Sequence, residues 1–271
     1  MQHVHEGSVR LPGADIWFEE GGNGPAVLLL HAGVADHRMW SAQMEALSPH
    51  YRVVACDARG FGHSPDRPGP FSYTRDILSL LDHLGIARAV LVGCSMFGTP
   101  VVRVALQAPE RVRGLVLVGA WVHGFEPATP APAIEEEALA AEERGDWERQ
   151  VELEAQLWLA GPERPLGAIP RHLRQLYREM NEGRRLAHDA AAQDVDGETS
   201  DIERLREIGR PALIVSGEHD VAYIRELAQF LQAHIPDSEA VTLPATAHLP
   251  PLEVPQAFNR LLLGWLDRLP A

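Results

Sequence analysis

A serine at position 95 follows the apolar run Leu91-Val92-Gly93-Cys94 and precedes Met96-Phe97-Gly98. A buried strand that ends on Gly-x-Ser and turns into a helix presents the serine hydroxyl at the top of a sheet. A hydroxyl is a weak nucleophile at neutral pH. It needs a base to accept its proton and an acid to hold that base in one tautomer. Both occur further along: Asp220 closes Ser216-Gly217-Glu218-His219-Asp220 after another apolar run, and His248 lies near the C-terminus. The order Ser, Asp, His, each just past a strand, suits acyl transfer with Ser95 as nucleophile, His248 as base and Asp220 as orienting acid. Glu218, two residues before Asp220, is the rival acid. The chain has 13 histidines, and most must serve other ends. His31 is expected to orient its own loop; His37, His63 and His83 read as surface or structural.

These groups need a sheet to carry them. Gly7–Leu11 and Asp15–Glu20 flank the turn signal Pro12-Gly13. Ile16 and Phe18 alternate with Asp15, Trp17 and Glu19, the pattern of a half-exposed antiparallel strand. Continuous apolar runs follow at Ala26–Leu30, Val53–Cys56, Ala89–Gly93, Gly114–Gly119, Ala212–Ser216 and Ala240–Leu243, with helical segments between them. Short apolar runs alternating with helices indicate a parallel sheet covered on both faces. After Ala120 the composition shifts: Pro127, Pro130 and Pro132 precede stretches rich in Glu, Arg and Ala. Asp146 is placed to cap a helix with Trp147, Val151, Ala155 and Trp158 on one stripe, and Leu173, Leu176, Tyr177 and Met180 form a second. The layout is a sheet domain interrupted by a helical insert.

Composition narrows the chemistry. The chain has 271 residues, of which 45% are hydrophobic, enough for a sizeable core. Its formal net charge of −14 at pH 7 argues against nucleic acid or an anionic membrane as partner. None of the 24 basic residues is a lysine, which removes P-loop and Schiff-base lysine chemistry. The N-terminal residues carry neither a basic nor a long apolar segment, so no signal peptide is read there and a cytoplasmic location is the expectation.

Four separated motifs resemble the α/β-hydrolase fold family, in order and over nearly the whole chain. Leu30-His31-Ala32-Gly33 followed by Trp40 looks like the oxyanion loop. Asp57-Ala58-Arg59-Gly60-Phe61-Gly62-His63-Ser64 is similar to the family's Asp-x-Arg-Gly-x-Gly-x-Ser turn. Gly93-Cys94-Ser95 looks like the nucleophile elbow. Gly217-Glu218-His219-Asp220 and Ala247-His248-Leu249-Pro250 with Glu253 resemble the acid and histidine segments. The family's second elbow glycine would fall at position 97, where this chain has Phe97, with Gly98 one step later. Either Phe97 alters how the helix packs on the sheet, or it tilts the elbow.

The resemblance implies an α/β fold with a mostly parallel eight-stranded sheet flanked by helices. Residues 1–121 and 200–271 would form the core and 122–199 a helical cap. Asp220 fits the family spacing for the acid, and the alternative location at Ala120 or Trp121 is empty. The backbone N–H groups of Gly33 and Met96 are the implied oxyanion hole. Val34, Phe97, Trp121, His123 and Trp158 are expected at the pocket. Asp57, Arg59 and Ser64 read as structural, with an Asp57–Arg59 pair bracing the tight turn. In this fold a strand separates Cys56 from Cys94, roughly 9–10 Å apart at twice the inter-strand spacing, beyond the ~7 Å limit for a disulfide. Both are expected as free, buried thiols, in keeping with a reducing compartment. The expected reaction is hydrolysis of a small ester or lactone, of carboxylesterase or 3-oxoadipate enol-lactonase type, with no metal or organic cofactor and a small molecule as sole partner. Rival readings are a non-hydrolytic member (lyase, perhydrolase or biosynthetic cyclase) and a small-molecule receptor. The oligomeric state is left open.

Overall fold

Strands β3 (Ala26–Leu30), β4 (Arg52–Cys56), β6 (Ala89–Cys94) and β7 (Val112–Val118) are buried almost throughout, because helices cover both of their faces. The computed structural model describes residues 5–11, 13–187, 192–198 and 200–270; Pro12 of the expected turn and Thr199 at the end of the insert lie outside them. Ahead of these strands, β1 (His5–Leu11) and β2 (Ala14–Gly21) pair antiparallel, and β2 joins β4 antiparallel. With β9 (Ala212–Gly217) and β10 (Ser238–Leu243) they form one eight-stranded sheet in the order β1-β2-β4-β3-β6-β7-β9-β10. From β4 to β10 every pairing is parallel. A separate pair joins β5 (Gly69–Phe71) to β8 (Ala192–Asp194). As expected, β3 lies between Cys56 and Cys94, and both thiols are free and buried.

Alternate residues of the central strands divide between two cores. On one side Leu28, Leu30, Leu91, Leu115 and Ile214 pack with residues of α2 (Tyr73–His83), α3 (Gly98–Gln107) and α7 (Ala222–His234). Helix α1 (Ser41–Leu47) precedes these. On the other side Val27, Leu29, Val92, Val116 and Val215 pack with Met44 and Leu47 of α1 and with Phe258, Leu262 and Trp265 of the last helix.

Among the described residues, the segment between β7 and β9 holds the α-helices α4 (Ala133–Glu143), α5 (Trp147–Glu154) and α6 (Arg171–Ala187). Asp146 caps α5, accepting from the Arg149 N–H, as its type and position predict. Helix α5 runs on as a wider π turn over Ala155–Ala160 and stops at Gly161, whose φ is +84°. Both expected stripes face inward: Val151, Ala155, Leu159, Tyr177 and Met180 join the core that contains α1 and the C-terminal helix. Beyond β10 lie a short α8 (Pro250–Glu253) and α9 (Pro255–Leu266).

Candidate active site

Ser95 sits where β6 becomes a single 3₁₀ turn leading into α3, at φ +55°. That left-handed conformation is uncommon for a residue with a side chain and stores strain at the turn. Its carbonyl is tied by the Trp121 N–H at 2.8 Å. The elbow tolerates Phe97 because the crowded position is the next one. A Cβ on Gly98 would lie 2.6 Å from both the Ala120 Cβ and the Trp121 carbonyl oxygen. Phe97 itself turns into the core, edge-on to His31 at 5.2 Å and to Tyr73 at 5.0 Å. It therefore does not line the cavities beside Ser95, contrary to expectation.

The three residues singled out from the sequence meet. His248 Nε2 is 2.8 Å from Ser95 Oγ, and His248 Nδ1 is 3.0 Å from each Asp220 carboxylate oxygen. Since the carboxylate can only accept, Nδ1 carries the proton and Nε2 faces the hydroxyl as an acceptor. An imidazole in this tautomer can take the hydroxyl proton. Asp220 and His248 are 2% and 1% exposed, so water does not compete for their contact. Glu218, the rival acid, instead accepts from the Ala245 N–H. Gly119, at φ +50°, makes room for the base: a Cβ there would stand 3.0 Å from His248 Nδ1.

The histidine loop is held from two sides. The Glu253 carboxylate accepts from the N–H groups of Ala247 and Leu249 and from the Thr246 hydroxyl. Arg164, from the segment before α6, donates to Glu253 at 2.8 Å, to the Ala245 carbonyl at 2.8 Å and to the Ala160 carbonyl at 2.6 Å. The His248 N–H donates to the Trp158 carbonyl at 3.2 Å. Terminal helix carbonyls lack intrahelical donors; here the end of the π turn finds them in the histidine loop and in Arg164. Burial holds the Glu253 carboxyl above the usual range, against the opposing pull of Arg164.

The loop after β3 is fixed just as firmly. The Ala58 N–H donates to His31 Nε2 at 3.0 Å, which leaves the proton on Nδ1, and Nδ1 donates to the Ala32 carbonyl at 2.8 Å. His31 orients its own loop as expected, and burial pushes its pKa down, favouring the neutral ring. From α6, Arg184 donates to the Gly33 carbonyl and Asn181 to that of Val34. Gly33 lies against Met96: a Cβ on it would be 2.6 Å from the Met96 sulfur.

Two cavities open beside Ser95, and Met96 and Trp158 line both. One, about 420 Å³, adds Trp121, Tyr223, Ile224 and Glu135; the other, about 740 Å³, adds Gly33, Val34, Trp147 and Arg184. Val34, Trp121 and Trp158 thus lie where the sequence places them. His123 does not: it lines neither cavity, and its backbone bonds to Thr99 and Asp201.

The Asp57–Arg59 pair does not form. Asp57 accepts from the backbone and ring of His37, at 2.9 and 2.7 Å, and from those of His63, at 2.8 and 3.2 Å. Arg59 turns to Asp76 and to the Gly13 carbonyl, while Ser64 Oγ accepts from the Trp17 N–H. Burial raises the Asp57 pKa, but the His37 hydrogen bond and charge outweigh it and hold the carboxyl low. Among the described residues His37, Asp57 and His63 are the one group with metal-ligand spacing; its carboxylate oxygens already accept from both rings.

A model of the alpha/beta hydrolase fold matches residues 25–255. The chain belongs to that family. Among relatives of known activity, a pimeloyl-[acyl-carrier protein] methyl ester esterase of Nitrosomonas europaea is 28% identical over 90% of this chain and 97% of its own length. The 3-oxoadipate enol-lactonase 2 of Acinetobacter baylyi is 28% identical over 90% and 89%. A thermophilic esterase from Thermogutta terrifontis superposes with a TM-score of 0.78 at 26% identity, over 98% of each chain. Among the described residues no helix is long and apolar enough to cross a membrane.

Sequence reasoning missed the Arg164–Glu253 clasp, the His37–Asp57–His63 group and the Glu135–Tyr223 contact. Only Glu253 left a signal, its place beside the Ala247-His248-Leu249-Pro250 motif.

Proposed function

We propose that this chain hydrolyses a small-molecule carboxylic ester or lactone through an acyl-enzyme on Ser95, without metal or organic cofactor. The observation that carries the reading is the chain of hydrogen bonds from Ser95 Oγ through His248 to Asp220. Ser95 Oγ attacks the carbonyl carbon while its proton passes to His248 Nε2, and Asp220 stabilises the resulting imidazolium. The tetrahedral oxyanion is received by the N–H groups of Gly33 and Met96, the latter at the positive end of the helix after the elbow. When the intermediate collapses, the C–O bond breaks and Nε2 returns the proton to the leaving oxygen. Water, deprotonated by the same nitrogen, then releases the acid. The segment 122–199 acts as a cap that roofs the two cavities. Relatives that act on methyl esters and enol-lactones support an ester or lactone substrate. The two buried, unpaired thiols support a reducing, cytoplasmic setting.

The test is treatment with a fluorophosphonate followed by intact-mass analysis, digestion, and turnover of short p-nitrophenyl esters. One adduct, on Ser95, and sustained turnover are expected. Ser95→Ala should lower kcat by about 10⁶-fold. A single burst without turnover would favour the receptor reading, and undiminished turnover by Ser95→Ala would remove the nucleophile assignment.

A further inference from the structure

The smaller cavity beside Ser95 is walled by Trp121, Trp158, Tyr223 and Ile224, and among the described residues Glu135 is its one charged lining residue. Trp121 and Tyr223 stand at right angles, with ring centroids 6.2 Å apart and planes at 88°, like two adjoining walls. The Tyr223 hydroxyl donates to the Glu135 carboxylate, 3.0 Å from each oxygen. Among the described residues no arginine or histidine forms an ion pair with Glu135. The larger cavity differs. There two arginines line the wall, Arg184 neutralised by Glu154 at 3.1 Å and Arg185 paired with Glu182, alongside Glu142.

A half-buried carboxylate without a cation, set among aromatic rings, is poorly compensated by the protein alone. One neutral hydroxyl offsets only part of its desolvation. Aromatic faces attract cations through their quadrupoles, and a carboxylate adds direct attraction. The same arrangement disfavours an anionic group, which would meet Glu135; among the described residues the basic group that acts on Glu135 is the His248 ring, which is committed to Ser95 and Asp220. Carbon and nitrogen isosteres of equal shape would fill the cavity alike, so charge is the property this lining can distinguish.

We infer that the cavity formed by Trp121, Trp158, Tyr223 and Glu135 receives a positively charged nitrogen, so that the substrate is an ester or lactone carrying an ammonium group. This inference rests on the hydrolase reading given above for the chemistry at Ser95. It goes beyond that reading in naming the charge of the group recognised. A cavity of about 420 Å³ holds a trimethylammonium-ethyl group with room to spare.

The test compares choline with its neutral carbon isostere 3,3-dimethylbutan-1-ol, using titration calorimetry on the native protein. Neither compound is an ester, so binding is read without turnover. Choline is expected to bind about tenfold or more tightly, and Glu135→Gln, which keeps the side chain's shape, should remove most of that gap. With acetate esters of the two alcohols, kcat/KM should favour the cationic one by a similar factor. Equal or tighter binding of the neutral alcohol, or an unchanged gap in Glu135→Gln, overturns the inference. Turnover of p-nitrophenyl acetate, followed in parallel, reports on the Ser95 chemistry alone. Turnover with no preference for the cation ends this inference and leaves the hydrolase reading standing. A preference for choline without turnover keeps the cation site but removes the hydrolase reading, and with it the ester or lactone part of the inference.

Discussion

Single side chains here act mostly by fixing something else in place. His31 holds the Ala32 carbonyl, and Phe97 packs against the edge of the His31 ring. Phe97→Ala should therefore cost about 3–5 kcal/mol, as for other fully buried aromatics, and should slow turnover by loosening the loop that carries Gly33. Thermal melting together with kcat on a p-nitrophenyl ester checks this; stability lost with kcat intact would separate Phe97 from the loop. His37 gives a pH-dependent case. Burial lowers its pKa, but the hydrogen bond and charge of Asp57 raise it further, to a net value above the ordinary 6.5. A folded-state pKa above the unfolded one adds stability that is complete below pH 6.5 and fades as pH rises through the folded value. His37→Gln should thus destabilise by about 1.5–3 kcal/mol in mild acid and by less at pH 8.5. An equal loss at both pH values would mean that the charged form of His37 contributes nothing.

At the scale of elements, the decisive join lies between the end of the π turn and the histidine loop. Arg164 bonds both, and Glu253 anchors Arg164 from the loop side. Glu253 is almost buried, so removing its cation leaves a carboxylate stranded. Arg164→Met should cost about 3 kcal/mol or more, and it should reduce kcat because the His248 N–H and the Trp158 carbonyl lose their common support. Glu253→Gln should lose less, since an amide still accepts from the loop. A double-mutant cycle on melting temperature would test the coupling, and strictly additive losses would argue against it. The elbow is equally constrained. Gly98→Ala forces a methyl group against Ala120 and should destabilise by about 1–3 kcal/mol, whereas the bulk at Phe97 is accommodated because that position faces the core.

For the whole molecule, part of the insert shares one of the sheet's two cores. Val151, Leu159, Tyr177 and Met180 pack in the same cluster as Val92, Val116 and Phe258. Unfolding should therefore show a single transition by calorimetry and by tryptophan fluorescence. Two resolved transitions would mean that the insert is held to the sheet only by surface contacts. The net charge of −14 opposes compaction by self-repulsion. Moderate salt, which screens it, should raise the melting temperature slightly.

The strand runs, the sheet's two-sided cover and the residues that meet at Ser95 were all legible in the chain. Each is written locally: apolar runs set the strands, and Ser95, Asp220 and His248 each sit at a fixed step past a strand or within a short motif. Contacts that join distant loops were not. Asp57 and Arg59 are close in sequence and opposite in charge, which suggests a pair. The turn sends one to His37 and the other to Asp76, because backbone direction, not proximity along the chain, decides where a side chain points. The same holds for Glu135 and Tyr223, 88 residues apart, and for Arg164 and Glu253. The sequence by itself determined which groups are available for chemistry and in what order the sheet presents them. Only the tertiary structure decided which charges are neutralised and which face a cavity, since pairing depends on distances that close only when separate segments pack.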